Sequence, residues 1–170
     1  QSEWKDMIER MVGFGAQLSR KKQEAIIEYL VKTQGPLAST ATRAYVVHEG
    51  SEDVWVIDVA THKVLAKVKV GKLPHGITAS PDGQALYVTN MGSNDITVIN
   101  TQTYQTTTMG GAGRNPHECA VSPDGRFLYV SNPSSNTVTV HDVRTHLAVA
   151  TIPVGRFPHG VAISPDGARV

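Results

Sequence analysis

Three histidines recur along the chain at a constant interval. His75, His117 and His159 are each 42 residues from the next, and each directly follows a proline. Imidazole is the commonest side chain that binds metal ions, and it also ligates haem iron, so three copies in register form a candidate metal or haem site. A second interpretation is that the histidine belongs to a structural repeat and caps backbone groups where successive repeats meet. The spacing of the histidines leaves both interpretations open.

Residues other than the candidate ligands recur at the same interval. Tyrosines and glycines recur with the same spacing, at Tyr45, Tyr87 and Tyr129 and at Gly71, Gly113 and Gly155. A fixed period near 40 residues indicates a repeat architecture. The alternation of β-branched and polar residues predicts four short strands in the second repeat, over residues 75–80, 85–90, 95–100 and about 105–110.

Four strands per repeat without helical crossovers are typical of a β-propeller blade, so the predicted fold is mainly β. The turn sequence Ser-Pro-Asp-Gly, which joins the first two strands of a repeat, occurs three times, beginning at residues 80, 122 and 164. The chain supplies about three four-stranded blades. Closed propellers have roughly 4–8, so we interpret the sequence as an incomplete propeller and expect the remaining blades in sequence beyond Val170.

The predicted blades also indicate where the three histidines lie. Each lies where the first strand of a repeat begins, and the first strand of a propeller blade is the innermost one. Residues 159–170 are predicted to form one such innermost strand without the rest of its blade. Because innermost strands line the central channel, His75, His117 and His159 are expected around one rim of that channel.

The first 36 residues have a helical period instead. Trp4, Met7, Ile8 and Met11 form an apolar stripe that predicts one helix, and Ser19 is a natural N-cap for a second. We predict a two-helix segment over residues 1–36, a linker over 37–42 and propeller blades over 43–170.

The repeat resembles a known family. Tyr87-Val88-Thr89-Asn90 is the tetrapeptide that names the YVTN propeller repeats, and the resemblance covers residues 43–170. It implies a fold rather than a function. Related propeller enzymes, among them nitrous oxide reductase and the haem-d-binding nitrite reductases, hold metal or haem on histidines at the channel mouth, which extends the same expectation to the three histidines here.

The helical segment resembles the C-terminal half of a small c-type cytochrome domain, on the strength of Trp4, the Arg-Met-Val-Gly run that contains Met11, and Tyr29-Leu30. The resemblance implies Met11 as an axial haem ligand, with Met7 as the second choice. The Cys-x-x-Cys-His motif that attaches haem c is absent from this sequence, whose single cysteine is Cys119. Haem c is therefore expected in the intact protein, attached upstream of Gln1.

The amino-acid composition limits the functions that the protein can have. Hydrophobic residues make up 40% of the chain and charged residues 18%, with a net charge of +1, which gives no basis for nucleic acid as a partner. No apolar run is long enough to span a bilayer. Cys119 follows His117 and Glu118, which suggests a ligand or nucleophile, but on an innermost strand it is expected to be a core residue.

Together these features predict part of a periplasmic or exported redox protein, in which a c-type cytochrome domain is fused to a propeller and electrons pass to or from a redox partner. Haem c attachment outside the bacterial cytoplasm implies that compartment. The alternative is a non-catalytic propeller that acts as an interaction scaffold. A propeller lactonase ranks third, because such a hydrolase needs acidic metal ligands in the channel and the innermost strands offer only Glu118.

Overall fold

The computed structural model describes residues 19, 21–26, 28 and 42–170 of the chain. The chain divides into two compact units, Gln1–Thr40 and Ala41–Val170. In the first unit residues 21–26 and 28 are helical, and the Ser19 carbonyl accepts the first backbone hydrogen bonds of this helix. The helix thus begins where the N-cap was predicted. The other predicted helix lies outside the described residues.

The second unit consists of eleven strands in three antiparallel sheets, each formed by strands consecutive in sequence. We call the sheets blades 1, 2 and 3. Blade 1 contains β1 (Arg43–His48), β2 (Asp53–Asp58) and β3 (Val64–Lys69). Blade 2 contains β4 (Pro74–Ala79), β5 (Ala85–Asn90), β6 (Asp95–Asn100) and β7 (Thr106–Met109). Blade 3 contains β8 (Cys119–Val121), β9 (Phe127–Asn132), β10 (Thr137–Asp142) and β11 (Leu147–Pro153).

This architecture confirms the mainly β, partial propeller fold. The strands of blade 2 match their predicted positions to within a residue at most ends, because period-two alternation and turn signals both repeat every 42 residues. One expectation was wrong. Residues 159–170 contain no strand. None of the eleven described strands pairs with this segment, and a strand is defined by the ladder of hydrogen bonds to a neighbour.

Successive blades are joined by apolar cores that arise from alternation along the strands. In β5, Leu86 and Val88 point toward blade 1, while Tyr87 points toward blade 3. The first core consists of Val54, Val56, Val68, Leu86, Val88 and Ile99. The second consists of Tyr87, Ile96, Met109, Cys119, Leu128 and Val130. Each core draws on two blades, so burial of apolar surface holds neighbouring blades together.

The repeated turns are built from their own side chains. In the first Ser-Pro-Asp-Gly turn, the Asp82 carboxylate accepts hydrogen bonds from the Ser80 hydroxyl at 2.5 Å and from the Gln84 amide at 3.0 Å. Gly83 has a φ of 70°, a conformation that glycine adopts at little cost. These hydrogen bonds hold the pKa of the Asp82 carboxyl below its usual value, with the Ser80 hydroxyl as the main cause.

A hydroxyl group on the second strand of each complete blade ties that blade to the next. The Thr89 hydroxyl accepts the Gly76 amide at 2.9 Å and donates to the His117 carbonyl at 2.5 Å. Ser131, at the equivalent position of blade 3, donates to the His159 carbonyl at 2.6 Å and accepts the Glu118 amide at 3.1 Å. Both hydroxyl-bearing residues are completely buried. The hydroxyl-bearing residue two positions after Tyr87 and after Tyr129 thus links its blade to the start of the next repeat.

Within the described part of the chain, no helix has the length and apolar composition that a bilayer crossing requires.

We predict that Thr89→Val destabilises the chain by about 1–3 kcal/mol, because valine keeps the shape of threonine but leaves the buried Gly76 amide and His117 carbonyl without their side-chain partner. Thr89→Ser is the matched control, since Ser131 makes the same bridge in blade 3. This variant should lose much less stability than Thr89→Val. The measurement is the free energy of unfolding from urea denaturation. Equal losses in the two variants would show that the hydroxyl does not link the blades.

Candidate functional site

The structure brings the three repeated histidines together. The ring centroids of His75 and His117 are 3.7 Å apart, and those of His117 and His159 are 3.8 Å apart. The two outer rings, His75 and His159, are 6.5 Å apart and nearly perpendicular. His117 therefore lies between the other two in a row of closely spaced imidazoles whose planes are tilted by 34° and 55°. We call this arrangement the histidine rim.

The rim follows from the way the first strands of the blades meet. β4 and β8 come first in their sheets and contact each other across the boundary between blades 2 and 3. Gly76, directly after His75, lies so close to the next blade that an added Cβ would overlap the His117 carbonyl oxygen. Because only glycine allows this approach, the backbones beside His75 and His117 lie near enough for their rings to stack.

The approach to each histidine is also conserved in its backbone conformation across the repeats. The residue two positions before each histidine has a positive φ, with values of 47° at Leu73, 59° at Asn115 and 56° at Phe157. A proline follows in every case, which fixes the next φ. The repeated conformation delivers each histidine to the rim from the same direction.

Two carboxylates flank His75. Its Nδ1 atom lies 3.6 Å from Glu118 Oε1, and its Nε2 atom lies 3.9 Å from Glu49 Oε1. Glu118 directly follows His117, and Glu49 follows β1 of blade 1. The site therefore combines residues of all three blades, although Glu49 was not among the candidates predicted from the sequence.

His117 is the most enclosed member of the rim, at 7% exposure, and its Nδ1 atom is buried with no hydrogen-bond partner among the described residues. The Nδ1 atom of His75 is in the same situation. Burial, together with the neighbouring His75 and His159, holds the pKa of His117 below its ordinary value. At neutral pH this ring is uncharged and keeps a lone pair available for a ligand.

One subset of these residues has the spacing of a metal site. His75, His117 and Glu118 each offer one ligand atom, and the three atoms lie within 4.8 Å of one another. His159, which was predicted as the third ligand, is not a member of this group among the described residues and is exposed. The sequence offered Glu118 as the only acidic residue of the innermost strands, at a position where the adjacent repeats have Gly76 and Gly160.

The remaining candidates have other locations. Met11 and Met7, the proposed haem ligands, lie outside the described residues. Cys119 is buried in the core between blades 2 and 3, and burial raises the pKa of its thiol far above the usual range. A buried, protonated thiol is a poor nucleophile, so the core interpretation of Cys119 is confirmed.

The aspartates that end β2 and β10 form turns. Asp58 accepts hydrogen bonds from the Thr61 amide and hydroxyl, and Asp142 does the same with Thr145. The backbone hydrogen bond is the main cause that holds the pKa of each carboxyl below its usual value. These contacts explain why the residues recur without any acid–base role.

A buried histidine lies away from the rim. His141 is completely buried, its Nε2 atom is 3.1 Å from the Thr139 hydroxyl, and its Nδ1 atom has no partner among the described residues. Burial lowers the pKa of His141. The equivalent residues of the other blades are Ile57 and Ile99, so His141 occupies a position that is otherwise apolar.

The fold and the comparisons with known proteins agree on the class of protein. Three antiparallel sheets with a common period define a β-propeller. A family model described as "Lactonase, 7-bladed beta-propeller" matches residues 35–147 and 100–170. The chain therefore belongs to the lactonase family of seven-bladed β-propellers. No curated protein matches the chain.

Two solved structures show similar folds. One is Kuenenia stuttgartiensis hydrazine synthase, at 29% identity and a TM-score of 0.70, with 74% of this chain and 36% of that chain covered. The other is dihydro-haem d1 dehydrogenase NirN in complex with DHE, at 24% identity and a TM-score of 0.58, with 82% and 36% covered. The chain thus spans little more than a third of the length of either structure.

We predict that His141→Ile reduces the loss of stability on acidification. Because the pKa of His141 is lower in the folded than in the unfolded chain, its contribution is complete above about pH 6.5 and is lost as the pH falls below that value. Urea midpoints at pH 7 and pH 5 measure the effect, within a range where the aspartates stay charged. His62→Gln, in an exposed turn, is the control. An unchanged difference between the two midpoints in His141→Ile would contradict the prediction.

Proposed function

We propose that this chain is part of an exported redox protein, in which a c-type haem domain exchanges electrons with a group held at the histidine rim of the propeller. The observation that carries the proposal is the rim itself, with rings 3.7 and 3.8 Å apart and two buried Nδ1 atoms that lack partners among the described residues. Imidazoles whose ring nitrogens lack hydrogen-bond partners are suitable ligands for haem iron or a metal ion.

The residues around the rim favour a positively charged or electrophilic group. Burial keeps His117 uncharged, so its ring does not repel a cation. Glu118 and Glu49 place two carboxylates within 4 Å of His75. The Thr89 hydroxyl holds the backbone of His117 against blade 2, which limits the movement of the ring. A fixed ligand set of this kind reduces the rearrangement that accompanies electron transfer.

The haem domain is proposed from the resemblance of residues 1–36 to the C-terminal helices of a small cytochrome, with residues 37–42 as the linker. Met11 is the proposed axial ligand and Met7 the second choice. When bound, haem c carries a single electron reversibly, and thioether ligation raises its reduction potential. The periplasm is the proposed compartment, and the YVTN resemblance of residues 43–170 belongs to the same proposal.

One of the two similar structures, hydrazine synthase, supports a redox setting. Hydrazine synthase shares the fold at 29% identity over 74% of this chain. The dehydrogenase in complex with DHE shares the fold at 24% identity, and this likeness supports the fold alone. Both matches cover only 36% of the longer proteins, which accords with a propeller segment inside a larger redox protein.

Family membership favours a second candidate function, the hydrolysis of lactones. The specific observation is that His75 lies between Glu118 and Glu49, at 3.6 and 3.9 Å. A carboxylate that orients one nitrogen of an imidazole makes the other nitrogen a more effective general base for activating water. Glu118 is then an orienting residue, and no haem is required. A non-catalytic scaffold is the third candidate, and it assigns the rim no role beyond stability.

The test uses the protein expressed with its upstream coding sequence in a bacterium that attaches haem c. We expect a covalent haem band on a denaturing gel, and we expect reoxidation of the reduced haem to slow at least about tenfold in His75→Gln/His117→Gln, because the rim ligands are lost. His62→Gln is the matched control, since His62 is exposed in a turn. Lactone hydrolysis is measured on the same samples.

Each candidate has its own outcome in this experiment. Absence of covalent haem would refute the redox proposal. Haem-independent hydrolysis that depends on His75 would establish the lactonase candidate. If the variants change only the free energy of unfolding, the non-catalytic scaffold is the remaining candidate function. Met11→Ala should alter the haem spectrum and Met7→Ala should not, and the reverse result would reassign the axial ligand.

A further inference from the structure

The rim contains a compact group of ligand atoms that departs from the repeat. His75, His117 and Glu118 contribute two imidazoles and one carboxylate within 4.8 Å, with His75 Nδ1 and Glu118 Oε1 only 3.6 Å apart. Bonds of about 2.0–2.2 Å to a transition-metal ion place neighbouring ligand atoms roughly 3–3.5 Å apart. The observed separations exceed this spacing by little more than an ångström, and Glu118 is half-exposed, so its side chain has room to adjust.

Two buried ring nitrogens favour a bound ion at this group. The Nδ1 atoms of His75 and His117 are inaccessible to solvent and have no hydrogen-bond partner among the described residues. A buried polar atom left unpaired costs about 1–3 kcal/mol, and native proteins seldom leave such atoms unsatisfied. An ion between the rings and the carboxylate removes this cost and offsets the charge of Glu118.

A second carboxylate, that of Glu49, lies where it can orient the ring of His75. Glu49 Oε1 lies 3.9 Å from Nε2 of His75, on the nitrogen opposite the one that faces Glu118. Histidines that bind metals usually present their second nitrogen to a carboxylate or carbonyl, which fixes the tautomer and the ring orientation. Glu49 is thus a positioning residue for His75.

We infer that His75, His117 and Glu118 bind one divalent first-row transition-metal ion, with His159 as a stacking neighbour of His117 and not a ligand. Two histidines and one carboxylate leave coordination positions open for water or substrate, as in mononuclear non-haem iron and catalytic zinc sites. The inference deepens the proposed function by naming the group at the rim, and it rests on that proposal for the redox role alone.

Glu118 is the residue that distinguishes this set from a ring of three equivalent histidines. Gly76 has no room for a side chain, because an added Cβ would overlap the His117 carbonyl. Gly160 has no neighbour within 4 Å of such an atom among the described residues. The carboxylate therefore enters the rim at the only one of the three equivalent positions that carries a side chain, next to the most buried histidine.

The experiment is titration of the purified, tag-free chain with cobalt(II) after treatment with a chelator, followed by visible absorption and by calorimetry with zinc(II). We expect one saturable site and ligand-field bands typical of a four- or five-coordinate ion. Glu118→Gly, the residue that both adjacent repeats carry, and Glu118→Gln should weaken binding by more than the roughly 10–100-fold that follows loss of a supporting residue.

His62→Gln is the matched control, because His62 lies in an exposed turn outside the rim, and the metal affinity of this variant should equal that of the unchanged chain. His159→Gln tests the limit of the ligand set, and its metal affinity should stay near that of the unchanged chain. Circular dichroism of every variant verifies folding. Absence of saturable binding in the folded chain, or full binding by Glu118→Gly, would overturn the inference. An equal loss in His159→Gln would replace it with a three-histidine site. Haem attachment is measured separately, so either proposal can fail alone.

Discussion

The close approach of the first strands of blades 2 and 3 is the constraint on which the site depends. Gly76 lies against the His117 carbonyl with no space for a Cβ, and the Thr89 hydroxyl bridges the two backbones at this contact. A wider separation of the blades would part the rings of His75 and His117. Packing between blades and the chemistry of the rim are thus set by the same few atoms.

Much of the fold could be predicted because every signal repeats. Strand alternation, the Ser-Pro-Asp-Gly turn and the Gly-x-x-Pro-His entry recur in register, so each copy supports the others. The strand expected over residues 159–170 did not form, since a strand depends on a neighbour that the local sequence cannot supply. The sequence also located the three histidines on one rim, but it could not show which polar groups from other blades approach them, and therefore missed Glu49.

Departures from the repeat proved as informative as the repeat itself. Glu118 replaces a glycine and faces His75, whereas His141 replaces an isoleucine and is buried without a charged partner. The sequence shows both as irregularities and does not distinguish them. The distinction depends on which surface of the blade each position occupies, one at the rim and the other in the packed interior, and that is a property of the assembled sheets.

Glu118 affects the orientation of a molecule that lies on the propeller axis. A propeller presents nearly identical surroundings to a molecule on its axis, whichever way that molecule is turned. Of the three equivalent positions 76, 118 and 160, only the middle one carries a carboxylate, so successive repeats are not equivalent at this level. A planar or elongated molecule beside these repeats meets a negative charge at Glu118 and bare glycine at the two flanking positions. Together with Glu49, which also approaches His75, this charge favours some orientations of the molecule over others.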